Sequence, residues 1–212
     1  MVNDNNDPGC RRMSVLNLAG FLPRSDVNGP GTRAVLWVQG CPRRCPGCFN
    51  RQFQPFSPAN VTDVRTVAAR ILAVPGIEGV TFSGGEPFSQ AGPLALLGDE
   101  IRRAGLSVVT YTGHTASELA EGTDPAWPAL LAVTDLLVAG PYVASLSCPD
   151  ALKGSANQQV IPLGTRLARP YGRDCCSAAL TEFTISPAGS ITTSGFPLPD
   201  TLAQLTRRCR GA

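Results

Sequence analysis

The chain has 212 residues, 43% of them hydrophobic and 16% charged, with a formal net charge of +2. Those values describe a globular chain with one proper core rather than a disordered one, and the near-neutral balance argues against nucleic acid or an anionic membrane surface as partner. No apolar run approaches the roughly 20 residues of a spanning helix, and the polar start "MVNDNNDPGCRRMSVLNLAG" lacks the apolar stretch of a signal peptide, so a cytoplasmic protein is expected.

In chain order, residues 1 to about 30 read as irregular and end in the turn-rich "VNGPGTR". "RAVLWV" (33 to 38) is a short apolar run of the kind a buried strand makes, and it leads straight to Cys41. "NVTDVRTVAARILAV" places Val64, Val67, Ala68, Ile71 and Leu72 on one helical face, with Asn60 as N-cap and Pro75–Gly76 as the stop. "GVTFSGG" (79 to 85) is a second strand, "GPLALLGDEIRRAG" a helix closed by Gly105, and "LSVVTYTG" a third strand. Short helical pieces follow around Ser117 to Glu121 and Pro128 to Val133, then a fourth strand "DLLVAG" (135 to 140) and a fifth in "NQQVIPL" (157 to 163). The tail reads as a hairpin, "TEFTISPAGSITTSGF", turning at Pro187–Ala188–Gly189, with a last helix in "DTLAQLTRRCR".

Strands alternating with helices predict βαβ units and a mostly parallel sheet, whose ligands sit beyond the carboxyl ends of the strands. "WVQGC", "TFSGGEP", "VTYTGH" and "LVAGPY" each put glycine or polar groups just past a strand. One shared site along that rim is expected.

Eight cysteines in a reducing compartment point to metal or redox chemistry rather than disulfide staples. Three are packed into "GCPRRCPGCFN" as Cys41, Cys45 and Cys48. Structural zinc wants four ligands, usually as two pairs, and only Cys45–Cys48 has the common spacing. A dithiol redox pair leaves Cys41 without a purpose. An iron–sulfur cube takes one thiolate per iron, so three cysteines hold three corners and leave one iron open to a ligand. Pro42, Pro46 and Gly47 bend and stiffen the loop so that three thiolates converge.

This C-x3-C-x2-C loop, set after the first strand read in an α/β chain, resembles the radical S-adenosylmethionine superfamily. "NGPGTRAVLWVQGCPRRCPGCFN" is similar, segment by segment, to the anaerobic ribonucleotide reductase-activating proteins, with their "GPGTR" lead and "GCxxxCPGCxN" loop. "SGGEP" (83 to 87), "YTG" (111 to 113), "DLLVAGPYV" (135 to 143) and "KGSANQ" (153 to 158) follow in that family's order. The likeness divides the chain into an irregular segment 1–24, a core 25–163 and a C-terminal extension 164–212 carrying the hairpin and helix.

The resemblance implies an open, shortened (β/α) barrel. It implies that Cys41, Cys45 and Cys48 are the catalytic and metal-binding residues, holding a [4Fe-4S] cluster whose vacant iron chelates the amino and carboxylate groups of S-adenosylmethionine. One electron then breaks the sulfonium C–S bond, and the 5′-deoxyadenosyl radical abstracts a hydrogen atom. Ser83, Gly84, Gly85 and Glu86 would serve the methionine moiety, with the Glu86 carboxylate on its ammonium. Phe49 and Asn50 would lie near the adenine and Thr110 to Gly113, Thr112 among them, on the ribose side. The implied partners are a glycyl-radical protein, the anaerobic reductase, and an electron donor such as flavodoxin or ferredoxin. The alternatives are a tailoring enzyme acting on a peptide or small natural product, and a cluster-binding module without catalysis. The family commonly carries an acidic residue where Ala139 stands here, although Asp135 remains nearby and the family's cation would then be absent or held otherwise. The tail, with Cys175, Cys176 and Cys209, lies beyond the resemblance. His114, the only histidine, reads as a satisfied rim residue rather than a ligand.

Overall fold

The computed structural model describes residues 14–167, 180–186, 188–189 and 191–196. Cys10, Cys175, Cys176, Cys209, Pro187 and the helix expected over 200 to 210 lie outside the described residues. Seven strands form one sheet: β1 (Val15–Ser25), β2 (Arg33–Val38), β3 (Asn60–Asp63), β4 (Gly79–Gly84), β5 (Ser107–Thr112), β6 (Leu136–Ala139) and β7 (Gln159–Pro162). Their spatial order is β3-β1-β2-β4-β5-β6-β7. The four central strands β2, β4, β5 and β6 run parallel; β1 lies antiparallel between β2 and β3 on one side, and β7 pairs antiparallel with β6 on the other. Among the described residues β3 and β7 do not pair, so the sheet stays open and no closed barrel forms.

Parallel neighbours need crossovers, and four helices supply them: α1 (Val64–Leu72), α2 (Ala91–Arg103), α3 (Ala116–Glu121) and α4 (Trp127–Val133). The central strands alternate between two environments. Leu36, Val38, Val80, Phe82, Val108 and Leu137 join Val67, Ile71, Leu94, Ile101 and Leu130 of the helices in the main core. Val109 and Leu136 belong to a smaller cluster with Leu152 and Leu167, against which Tyr111 packs. Arg33 is fully buried at the start of β2, donating to Thr81 Oγ1 and to the carbonyls of Pro30, Val80 and Ser107.

Three local expectations change. Residues 15–25, read as irregular, are a strand that pairs with both β2 and β3. Gly20 and Pro23 disguise it, and register shifts between Leu18 and Gly20 and between Leu22 and Ser25 absorb them as bulges. Helix α1 is capped by Asp63, whose carboxylate accepts from Thr66 N at 2.9 Å; Asn60 instead begins the edge strand β3. Leu72 is 45% exposed, one step round the helix from the buried Ile71. The other helices stand where expected, and Gly105 takes φ +86° just past α2.

The tail hairpin forms as β8 (Thr181–Ile185) paired antiparallel with β9 (Ile191–Gly195). It docks on the segment after β1: Ser25 Oγ donates to Glu182 Oε2 at 2.7 Å, and Asn28 Nδ2 donates to Ser194 Oγ at 2.5 Å. No helix among the described residues is long and apolar enough to cross a membrane.

Candidate active site

Two loops at the carboxyl ends of β2 and β4 are stapled together. Gly85 N–H donates to Val38 O at 2.7 Å and Glu86 N–H to Gly40 O at 2.8 Å. Gly84 sits at φ +104°, and a Cβ on Gly85 would fall 2.3 Å from Gly40 O. The two glycines of "SGGEP" therefore let this turn lie against the start of the cysteine loop.

The cysteine loop is held at both ends. Gly40 N–H donates to Phe53 O and Cys41 N–H to Gln54 O, tying its entry to the 3-10 turn Arg51–Phe53 that follows it. Cys48 N–H donates to Cys45 O, and Gly47 turns the chain at φ +77°. Arg44 carries φ +48°, the one non-glycine residue with a positive φ among the described residues. Asn50 N–H points back to Cys48 Sγ at 3.4 Å.

All ten residues read from the sequence border one cavity of about 130 Å³: Cys41, Cys45, Cys48, Phe49, Asn50, Ser83, Gly84, Gly85, Glu86 and Thr112. The three thiols are unbonded and partly exposed. Burial, more than any neighbour, pushes the Cys41 thiol up, so a bound cation must displace its proton to make it a ligand. Among the described residues no three metal-binding side chains converge on a single ion. Three thiols bordering a common cavity match in type and number the donors an iron–sulfur cube would take while leaving one iron open.

Glu86 is 1% exposed and reaches the same cavity from β4. Its Oε1 accepts from Phe88 N–H at 3.0 Å and Thr112 Oγ1 at 2.8 Å, and its Oε2 accepts from Gly113 N–H at 2.8 Å. Burial raises its carboxyl above the ordinary range, and these hydrogen bonds work against that rise. A carboxylate offers about four lone-pair sites, and these bonds occupy three of them.

Tyr111, within the stretch read as the ribose side, lines the cavity too, and so do residues the sequence did not single out: Arg43, Gly140, Tyr142, Gln158 and Phe196 among them. Most fall at strand ends already recognised as the rim, but Phe196 comes from the far end of the hairpin. Its ring lies 6.2 Å from Phe49 and 6.4 Å from Tyr111, and Phe49 lies 4.9 Å from Tyr142. His114 is satisfied rather than ligating: Arg43 donates to its Nδ1 at 2.9 Å, and its ring packs 4.6 Å from Trp127. That bond leaves the ring proton on Nε2, and burial lowers its basicity further.

Neither candidate carboxylate position on β6 serves the cavity. Ala139 is buried in the main core. Asp135 sits before the strand, where it accepts from Val108 N–H and lies 3.5 Å from Arg102 Nη2.

Residues 27–161 match the family described as 4Fe-4S single cluster domain. The anaerobic ribonucleoside-triphosphate reductase-activating protein of Escherichia coli (strain K12) is 30% identical over 160 residues, covering 68% of this chain and 97% of that protein. The protein of the same name from Vibrio cholerae is 30% identical over 161 residues with the same coverage. Among solved structures, QueE from Escherichia coli overlaps 52% of this chain and 58% of its own at TM-score 0.37 and 16% identity, too slight a likeness to argue from. The chain belongs to the 4Fe-4S single cluster domain family, within the radical S-adenosylmethionine superfamily and alongside the anaerobic ribonucleotide reductase-activating proteins.

Proposed function

We propose that the protein is a radical activase in which Cys41, Cys45 and Cys48 each bind one iron of a [4Fe-4S] cluster and S-adenosylmethionine completes the fourth. Given one electron from a reduced donor such as flavodoxin or ferredoxin, that pair supplies methionine and a 5′-deoxyadenosyl radical, which takes a substrate hydrogen atom and leaves as 5′-deoxyadenosine. The substrate is a backbone glycine of an anaerobic ribonucleotide reductase, as the names of the relatives suggest.

The observation that carries this reading is the meeting of the three thiols, the "SGGEP" turn and Thr112 on one cavity at the strand ends. Glu86 spends three of its acceptor sites on the protein and keeps one for the methionine ammonium. Gly84 and Gly85 allow close backbone approach. Phe49, Tyr142 and Phe196 place aromatic surface at the edge of the cavity, which limits water where a radical must survive. Residues 25–163 form the catalytic core in this scheme and 164–212 an extension that shapes its access.

Anaerobic reconstitution, reduction and quantification of 5′-deoxyadenosine test the chemistry, and a glycyl-radical signal on co-incubated anaerobic reductase tests the target. A fully loaded cluster that releases no 5′-deoxyadenosine would refute the function.

A further inference from the structure

No acidic residue lies between Asp26 and Asp63, a stretch that contains the whole cysteine loop. Its four arginines differ in their surroundings. Arg33 is fully buried, and Arg43 pairs with Glu118. Arg44 and Arg51 are exposed, and neither side chain has an ion pair or hydrogen bond among the described residues. Arg44 immediately precedes Cys45, and Arg51 opens the 3-10 turn that ties down the entry of the loop. Glu118, Glu121 and Asp124 border a groove with Pro42, Arg43 and His114, and neither Arg44 nor Arg51 lines it.

Arg44 holds its place at a cost to the backbone. It takes φ +48°, whereas every other described position with a positive φ is glycine. Glycine would turn the loop there without strain. The loop carries a solvated cation at that point instead, and backbone outliers of this kind cluster at functional positions. Phe56, 65% exposed, lies against Gly40 at the start of the same loop and adds apolar surface. The three thiols are themselves partly exposed, so a centre bound to them lies close to solvent.

We infer that the outer face of the cysteine loop, carrying Arg44 and Arg51, docks a small electron-carrier protein with an acidic surface. The inference rests on the radical function above and deepens it by giving the reducing electron its point of entry. The carrier's reduced flavin or iron–sulfur centre gives up one electron, the centre held by Cys41, Cys45 and Cys48 accepts it, and no atom changes hands. Electron transfer fades steeply with distance, so the carrier must seat where the ligand loop meets solvent. Its carboxylates find two unpaired guanidiniums there and no acidic residue of the loop to repel them. Complementary charge speeds such an encounter more than it tightens it. A net charge of only +2 gives nucleic acid no comparable attraction.

The test uses cluster-loaded full-length protein and flavodoxin, an acidic flavoprotein, as the probe. Anaerobic stopped-flow absorbance follows reduction of the cluster by flavodoxin hydroquinone, and calorimetric titration with oxidised flavodoxin gives Kd. Arg44→Gln combined with Arg51→Gln is expected to slow reduction about tenfold at low ionic strength and to weaken binding by a smaller factor. High salt should remove the advantage of wild type over this variant. Arg44→Lys combined with Arg51→Lys, which keeps both charges, should restore most of the rate. Reduction by the methyl viologen radical, a small cation, should be no slower in the glutamine variant. An equal slowing there would mean that the substitutions altered the cluster itself, and would overturn the docking assignment. So would a glutamine variant that binds flavodoxin and accepts its electron as wild type does; if that variant has lost binding to a short DNA duplex, the face belongs to nucleic acid. A reduced wild-type cluster that releases no 5′-deoxyadenosine from S-adenosylmethionine would instead overturn the radical function beneath the inference.

Discussion

Gly85→Ala probes the contact on which the site is built. The added Cβ would fall 2.3 Å from Gly40 O and 2.8 Å from Gly40 C, against an ordinary contact of 3.4 Å or more. Backbone must therefore separate by roughly 1 Å, a displacement comparable to those by which overpacking strains a core. The bonds from Gly85 N–H to Val38 O and from Glu86 N–H to Gly40 O, now 2.7 and 2.8 Å, would not survive that shift. Two such bonds at about 1 kcal/mol each, with overpacking strain of about 1–3 kcal/mol added, give a loss of about 3–5 kcal/mol. For a chain of this size that is a fall in Tm of roughly 6–20 °C. Calorimetry of the metal-free protein measures it, and iron and sulfide content after anaerobic reconstitution should fall as the cysteine loop loses its support. Gly105→Ala is the control: nothing lies within 4 Å of its Cβ, so only its φ of +86° carries a cost, about 1 kcal/mol. It should load iron normally. A Gly85→Ala protein that melts within about 2 °C of wild type and takes up a full cluster would show that the two loops do not depend on this contact.

Replacing Cys41, Cys45 or Cys48 singly by Ser should reduce bound iron and labile sulfide to background after reconstitution, whereas Cys148→Ser should not; retention by any of the first three would remove that residue from the ligand set. Asn28→Ala, by breaking the bond to Ser194, should raise hydrogen exchange across Thr181–Gly195 more than in β5, and uniform exchange would mean the hairpin is held otherwise. Glu118 has its carboxyl lowered from the ordinary 4.5 to about 2, chiefly by the Thr115 backbone N–H that it caps and then by Arg43. A depressed carboxyl stabilises the fold fully above 4.5 and loses that contribution as pH falls toward 2. The difference in Tm between wild type and Glu118→Gln should accordingly shrink over that interval, and a constant difference would refute the assignment.

Much of the core was legible because its signals are local. Runs such as "RAVLWV" and "GVTFSG" can be buried on both sides only in the middle of a covered sheet, and that is where β2 and β4 lie. Cys41, Cys45 and Cys48 lie so close in the chain that one bent loop carries all three to the same cavity. Strand β1 was not legible, because Gly20 and Pro23 look like breaks until the bulges opposite β2 absorb them. Asn60 and Asp63 are equally good caps by residue type, and only the pairing of β3 with β1 decided between them.

The amino-acid sequence alone determined that three thiols share one loop and that strands alternate with helices, because each depends on neighbours a few residues apart. Tertiary structure alone decided that Ala139 points into the core, that Asp135 is engaged with Arg102, and that Phe196 of a distant hairpin reaches the cysteine-lined cavity. The Tyr111 hydroxyl, buried with no hydrogen-bond partner among the described residues, belongs to the same class. A side chain's partners across a sheet depend on register, twist and docking, and no local pattern encodes those.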